Sequence, residues 1–384
     1  MANKLTLPGA TYIGEGALDD AMGDICKLGE KAFIVTGQSM IKQGHVDALM
    51  SAMKEQGVDS EVFSGITGEP TDVMIEEGLA KYRVSGCDFI IGFGGGSPLD
   101  SAKAIGAMAT NEGSISDYNG KVIPNKIPAF VAIPSTAGTG SETTQFTVIS
   151  DTKKNIKMLL KGGVLLPSIA VVDPKFTVGS PKNVTAATGL DALTHAVEAY
   201  TSKKAFDETD LFAISAVKRI FKYLPIAYAD GSNLEAREQM SIAAFEAGVT
   251  INNSSVTIVH GMSRPIGALF HVAHGISNAM LLKECLSFAV DGAYERFAAL
   301  GRAIGTANGE DSDVDAANKF IEALGEICKV CDVPTLEEYG IEKDKFFDLI
   351  DKMAKDAYDS GSPSNTRKNV TVEDIKMIYK KLWI

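Results

Sequence analysis

The sequence predicts two domains of different class: an N-terminal α/β domain built on a parallel sheet over residues 1–178, and an all-α domain over residues 179–384. Three observations carry this. At 384 residues the chain exceeds the size at which one hydrophobic core stops growing. Up to about residue 178, short continuous apolar runs such as Lys31-Ala-Phe-Ile-Val-Thr36 alternate with segments of helical period, as strands buried on both faces alternate with their covering helices. After Asp173-Pro174 strand signals vanish, and every later segment with regular apolar spacing is helical.

In chain order, residues 1–14 read as a short strand pair leading into the turn Gly14-Glu-Gly16-Ala-Leu18, from which an amphipathic helix runs to about Leu28. Lys31–Thr36 is a strand ending at Gly37, Val46–Gln56 a helix with His45 at its polar, surface start, Ser60–Gly65 a strand and Thr71–Ser85 a helix. The strand Asp88–Phe93 runs straight into Gly94-Gly-Gly-Ser97-Pro98-Leu-Asp100-Ser-Ala-Lys103. Ser97 suits an N-cap, Pro98 the first helical position, and Asp100 a capping box. The unsatisfied N–H groups of such a helix start favour an anion, which makes Gly95, Gly96 and Ser97 candidates for a dinucleotide pyrophosphate. A tight strand-to-helix turn without a ligand would read the same way, because the spacing is not Gly-x-Gly-x-x-Gly. After the strand Ala129–Ile133, the loop Pro134-Ser-Thr-Ala-Gly-Thr-Gly-Ser-Glu142 alternates hydroxyls and glycines, which suits phosphate and ribose and equally a polar turn. Gln145–Ile149 and Ile156–Leu160 form a hairpin, and Ile169–Asp173 is the last strand.

Downstream, helices are expected over 183–202, 207–223, 233–252, 278–288, 291–305, 312–331, 343–357 and 372–382. The first contains Gly189-Leu-Asp191-Ala-Leu-Thr-His195-Ala-Val-Glu-Ala-Tyr200, which puts Asp191 and His195 one turn apart on one face, about 5–6 Å between Cβ atoms. Among apolar neighbours these two groups either share a divalent ion or form a buried Asp–His hydrogen bond. Three of the five histidines, His260, His271 and His274, cluster in Val259–Gly275. A continuous helix would hold His260 and His274 roughly 21 Å apart, so Pro265 and Gly267 are expected to break it, His260 ending one helix and His274 beginning another. Asp191, His195, His260 and His274 then make a candidate set of three nitrogens and one oxygen.

Gly-Leu-Asp191-Ala-Leu-Thr-His195, followed by His260-Gly-Met and His274-Gly, resembles the iron-containing (group III) alcohol dehydrogenase family, and the similarity runs nearly end to end. The resemblance implies a dehydroquinate synthase-like architecture, with a Rossmann-like dinucleotide-binding domain before a helical metal-binding domain. It implies Fe(II), or else Zn(II), on Asp191, His195, His260 and His274. It also implies NADP or NAD on Gly96, Ser97, Ser135, Thr136, Thr139, Val148 and Lys157; Gly37, Ser39, Glu69 and Gly95 complete the cofactor candidates. The implied reaction is hydride transfer between the nicotinamide and a small alcohol or aldehyde on the metal.

Two departures from the family bear on this. Members preferring NAD typically carry an Asp at the end of the second strand, where this chain has Gly37, so NADP(H) is expected to be preferred or at least accepted, with Ser39 and Lys42 available to a 2′-phosphate. Four residues after the first cluster histidine many members have another His; here Arg264 stands, and a guanidinium cannot relay protons. His271 is the substitute catalytic candidate, or else only lines the cleft. A zinc- and NAD-dependent lyase or a polyol dehydrogenase of the same superfamily is an alternative, although a lyase acting on an acidic substrate needs more basic residues than Arg264 supplies. A non-catalytic metal- or nucleotide-binding regulator is another, and has no use for a second cofactor loop.

With 49 acidic against 37 basic residues, net charge −12 and no Lys/Arg run, the chain is a poor partner for nucleic acid or an anionic membrane. Without a leader or an apolar run long enough to span a bilayer, a cytoplasmic protein is expected, as a homo-oligomer of two or more chains. Five cysteines, an odd number, fit reduced thiols, and Cys328-Lys-Val-Cys331, lacking a second pair, reads as structural.

Overall fold

The computed structural model describes residues 2–154 and 156–383. The chain divides into two compact units, Leu7–Gly179 and Ser180–Ile384 together with Met1–Thr6. The first unit carries strands β1 (Ala10–Ile13), β2 (Lys31–Thr36), β3 (Asp59–Phe63), β4 (Phe89–Gly94), β5 (Ala129–Pro134), β6 (Phe146–Asp151), β7 (Ile156–Lys161) and β8 (Ile169–Val172). Six of these form one sheet in the order β1-β8-β5-β4-β2-β3, and β6 with β7 forms a separate antiparallel hairpin. Every pairing in the larger sheet is parallel.

Parallel strands need both faces covered, and the apolar runs supply side chains to both. Phe33 and Val35 of β2 join one core with helices α4 (Asp72–Ser85) and α5 (Gly96–Thr110). Ala32 and Ile34 join the other with α1 (Ala17–Ile25) and α3 (His45–Glu55). A short helix, α2 (Gln38–Lys42), follows β2. The chain runs outward from β2 to β3 on one side and from β4 through β5 to β8 on the other, so the order reverses between β2 and β4. Loops after the carboxyl ends of these strands are where an open parallel sheet binds ligands.

The expected strand pair in residues 1–14 is a single strand, β1. Thr6 takes its hydrogen bonds from side chains instead of a ladder: its N–H donates to Asn253 Oδ1 at 2.7 Å and its carbonyl accepts from the Asn252 and Asn253 amides. His45 is half-buried rather than on the surface, edge-on to Phe176 with ring centroids 5.1 Å apart, and burial lowers its pKa.

Among the described residues from 180 on, regular structure is helical: α6 (Lys182–Thr201), α7 (Asp207–Ala229), α8 (Leu234–Asn253), α9 (Ile258–Phe270), α10 (His274–Ala289), α11 (Tyr294–Ala303), α12 (Asp313–Val330), α13 (Lys343–Asp359) and α14 (Val372–Lys381). No described helix is long and apolar enough to cross a membrane. The break between His260 and His274 falls later than expected. Pro265 and Gly267 lie inside α9, His260 is in its first turn, and His271 ends it in the left-handed conformation at φ 56°. Pro265 removes one backbone donor, and Tyr379 of α14 braces the turn from outside by donating to the Met262 carbonyl at 2.6 Å. The five cysteines are free, and burial pushes the Cys328 and Cys331 thiols up to about 12, where they are neither nucleophiles nor ready metal ligands.

Candidate functional site

Asp191 and His195 come from the buried second half of α6, His260 from the first turn of α9, and His274 opens α10. The Nε2 atoms of His195, His260 and His274 lie 3.9, 3.6 and 3.7 Å from Asp191 Oδ1. A tetrahedral ion with bonds of ~2.1 Å spaces its ligands about 3.4 Å apart, so this set fits a divalent metal. Candidate ligand atoms of Asp191, His195 and His260 all lie within 4.8 Å of one another. Gly275 makes the approach possible: a Cβ there would sit 2.1 Å from the Ala187 carbonyl, so only glycine lets the start of α10 press on α6. The side chain of His274 is 40% exposed while the other three are 3–6% exposed, so the set is reached from the His274 side.

Two neighbours border these ligand atoms. Glu198, one turn beyond His195 on α6 and fully buried, meets His260 Nδ1 at 2.5 Å. Asn278, one turn beyond His274, donates its amide to Asp191 Oδ1 at 2.8 Å and lies 3.1 and 3.3 Å from Nε2 of His260 and His274. A primary amide has two N–H hydrogens for these three neighbours, so Asn278 anchors the Asp191 carboxylate and donates to at most one of the two rings. Burial pushes the Asp191 carboxyl upward, but the surrounding imidazoles outweigh it and hold the group well below the usual carboxylate range. Burial pushes His260 down, yet Glu198 and Asp191 pull its pKa up to about 9. A divalent ion at Nε2 would replace the proton that this negative pocket otherwise attracts.

In the α/β unit, the two small-residue loops lie against each other. Gly94 leaves β4 at φ 151°, and the Ser135 N–H donates to its carbonyl at 2.8 Å. A Cβ on Gly96 would meet Thr139 Cγ2 at 2.7 Å, and one on Gly95 would meet Thr136 Cγ2 at 3.4 Å, so glycine lets the α5 start touch the second loop. Ser97 is not the N-cap. The glycines turn the chain early, α5 starts at Gly96, and Gly95 caps it without a side-chain bond. The Asp100 carboxylate closes no capping box either; it accepts from Ser141 Oγ at 2.6 Å and from the Val148 N–H at 2.9 Å, tying α5 to the loop and to β6. Lys103, fully buried, donates to the carbonyls of Ser141, Thr144 and Phe146 and to Thr144 Oγ1. Burial lowers its pKa to about 8 despite Asp100 and Glu142, and raises that of Glu142 to about 7. Lys157 of β7 pairs with Glu69. Gly37 caps α2 with its Cα side toward Pro98 of α5, while Ser39 accepts from Gln43 on the exposed face of α2.

The family model for iron-containing alcohol dehydrogenase matches residues 8–174, and that for the Fe-containing alcohol dehydrogenase family, C-terminal, matches residues 185–383. The chain belongs to the iron-containing alcohol dehydrogenase family. It is 36% identical over 377 residues to the NAD-dependent methanol dehydrogenase of Bacillus methanolicus, covering 97% of this chain and 98% of the relative. It is 37% identical over 381 residues to the 1,3-propanediol dehydrogenase of Citrobacter freundii, covering 98% of this chain and 97% of the relative. A crystal structure of 1,3-propanediol oxidoreductase superposes with a TM-score of 0.95 over 100% of both chains at 35% identity. As a member of the iron-containing alcohol dehydrogenases, the protein is a metal-dependent oxidoreductase that interconverts alcohols and aldehydes with a nicotinamide cofactor.

Within that family frame, Arg264 lies one turn after His260 on α9, and burial lowers its pKa; its guanidinium donates to Ser362 Oγ at 3.1 Å. His271 is exposed, at the left-handed end of α9. Glu198, Asn278 and Lys103 escaped the sequence reading. Glu198 had a visible signal, a carboxylate on the apolar face at i+3 from His195 and i+7 from Asp191. Asn278 stands at i+4 from His274, but nothing in its neighbours marks it apart from any helix-surface amide.

Proposed function

We propose that the protein reduces small aldehydes and oxidises the matching alcohols with Fe(II) held by Asp191, His195, His260 and His274, and that it accepts NADP(H). The convergence of three imidazole nitrogens on Asp191 Oδ1 at 3.6–3.9 Å carries this reading. A borderline divalent ion there supplies Lewis acidity toward an alcohol or carbonyl oxygen, and a nicotinamide supplies or takes the hydride. Iron follows the family; three imidazoles and a carboxylate accept Zn(II) as well. The chain's own part is positional. Asp191 lends the one anionic donor, Asn278 orients its carboxylate, and the backbone donors at the start of α5, beside Ser135, Thr136 and Thr139, suit a pyrophosphate. Val148 and Lys157 belong to the same group, on the hairpin that Asp100 and Glu69 tether. An absorbance assay of NAD(P)H oxidation with short aldehydes tests the reading; no turnover of any aldehyde by the metal-loaded protein would overturn it.

Cofactor preference turns on Gly37. No carboxylate ends β2 to repel a 2′-phosphate, and α2 carries Ser39 and Lys42 just beyond it. An aspartate fits there, since a Cβ would meet only the Ile66 carbonyl at 3.5 Å and Pro98 Cγ at 3.9 Å. Gly37→Asp is expected to shift the ratio of kcat/KM values toward NAD(H) by about tenfold or more, about 1.4 kcal/mol. An unmodified protein already favouring NAD(H) at least about tenfold would contradict it.

His271 is proposed to pass the substrate hydroxyl proton to solvent, because it is exposed, lies three residues before ligand His274, and carries the side chain most often used for proton transfer. Asn tolerates the left-handed backbone there, so His271→Asn tests the side chain without straining the turn. Expected are unchanged metal content, a kcat lower by roughly 10²-fold and a flattened kcat–pH profile. A pH profile identical to that of the unmodified protein removes His271 from the reaction.

A further inference from the structure

We propose that Glu198 is a positioning residue of the metal centre, acting through His260, whose ring it fixes with Nδ1 protonated and Nε2 free to bind the ion. The inference rests on the metal reading above and adds to it a buried carboxylate that touches neither ion nor substrate. Glu198 has 0% of its surface exposed, and both its oxygens are engaged. Oε1 accepts from Thr257 Oγ1 at 2.6 Å and from the Val259 N–H at 2.6 Å, while Oε2 takes His260 Nδ1 at 2.5 Å. Thr257 is the residue before α9, and the Val259 N–H is one of the first-turn donors that a helix leaves unsatisfied. One carboxylate therefore holds the backbone at the start of α9 and, one residue on, the ring of the ligand that α9 contributes.

The chemical consequence follows from the tautomer. A neutral imidazole carries its proton on one nitrogen, and a carboxylate acceptor at Nδ1 keeps it there. The Nε2 lone pair then points at Asp191, His195 and His274, as the 3.6 Å separation from Asp191 Oδ1 shows. Donation to an anion also makes the imidazole a stronger base toward a metal, and outer partners of this kind are worth about 10–100-fold in metal affinity. All three acidic and imidazole groups of α6, namely Asp191, His195 and Glu198, thus serve one ion from successive turns of one helix.

A purely structural role, capping α9, predicts a different result. In Glu198→Gln the side-chain oxygen still accepts from Thr257 and Val259, but an amide NH₂ faces Nδ1 and favours the tautomer with its proton on Nε2. The metal-free protein is loaded with Co(II) under anaerobic conditions; the Kd is read by chelator competition, the ligand field by visible absorption, and the fold by circular dichroism. The expected result is a Co(II) Kd raised about 10–100-fold with an altered visible spectrum and native circular dichroism. Should Glu198→Gln not fold, Glu198→Asp carries the test: it keeps the charge but withdraws it from Nδ1, and the Kd is expected to rise about tenfold. Thr257→Val removes part of the cap alone and is expected to lower thermal stability with the Kd unchanged. A folded Glu198 variant binding Co(II) within about twofold of the unmodified protein overturns the role of Glu198 while leaving the metal reading intact. Absence of Co(II) binding by the unmodified protein overturns the metal reading itself.

Discussion

Replacement of His260 or His274 by Ala is expected to strip most of the bound divalent metal and to lower kcat/KM by roughly 10³-fold or more. Charge stabilisation by a catalytic ion is worth several kcal/mol, and each ~1.4 kcal/mol is a factor of ten. The two variants should differ in stability. His260 is buried and is one of three partners of the Glu198 carboxylate, so its loss leaves a buried anion short of a donor, which costs about 1–3 kcal/mol. His274 is 40% exposed, and its removal is expected to leave thermal unfolding of the metal-free protein nearly unchanged. Metal content by mass spectrometry, steady-state kinetics and melting of the metal-free proteins check all three statements. Retention of full activity by His274→Ala without metal would contradict them.

Lys103→Met is expected to be the most damaging change in the α/β unit. Methionine replaces the four-atom stem of the side chain but not its amine, and leaves the Ser141, Thr144 and Phe146 oxygens without their donor at 2.6–3.0 Å. It also leaves the Asp100 and Glu142 carboxyls buried with no cation between them. Breaking a buried charge network in this way costs about 3–5 kcal/mol. For a unit of this size that lowers the melting temperature by roughly 6–20 °C. Because Lys103 and Asp100 hold the second loop against α5, affinity for the dinucleotide should fall as well. Thermal unfolding followed by circular dichroism, with cofactor titration by nicotinamide fluorescence, reads both; a melting shift under about 2 °C with an unchanged Kd would sink the idea.

Much of this was legible in the chain. The β2, β4, β5 and β8 runs are apolar on both faces, a pattern that only a doubly covered parallel sheet satisfies, and the structure has them within a residue of expectation. Asp191 and His195 could be placed on one face because helix periodicity is rigid over one turn. Where the reading failed, tertiary contacts override a local rule. Pro265 was expected to end a helix, but α9 runs through it against α13 and α14. Ser97 and Asp100 match a capping box in spacing, yet two preceding glycines start the helix earlier and a neighbouring loop claims the carboxylate. Lys103, and Asn278 in its bond to Asp191, gain their roles from residues far away in sequence, which no local pattern encodes.

The central claim is that Asp191, His195, His260 and His274 bind the ion on which turnover depends. Anaerobic titration of the metal-free protein with Fe(II), followed by the rate of NAD(P)H oxidation with a short aldehyde, tests it most directly. The rate is expected to rise from background and level off at about one Fe(II) per chain, with Mg(II) giving no comparable activation. Full turnover by the metal-free protein, indifferent to added Fe(II), would contradict it.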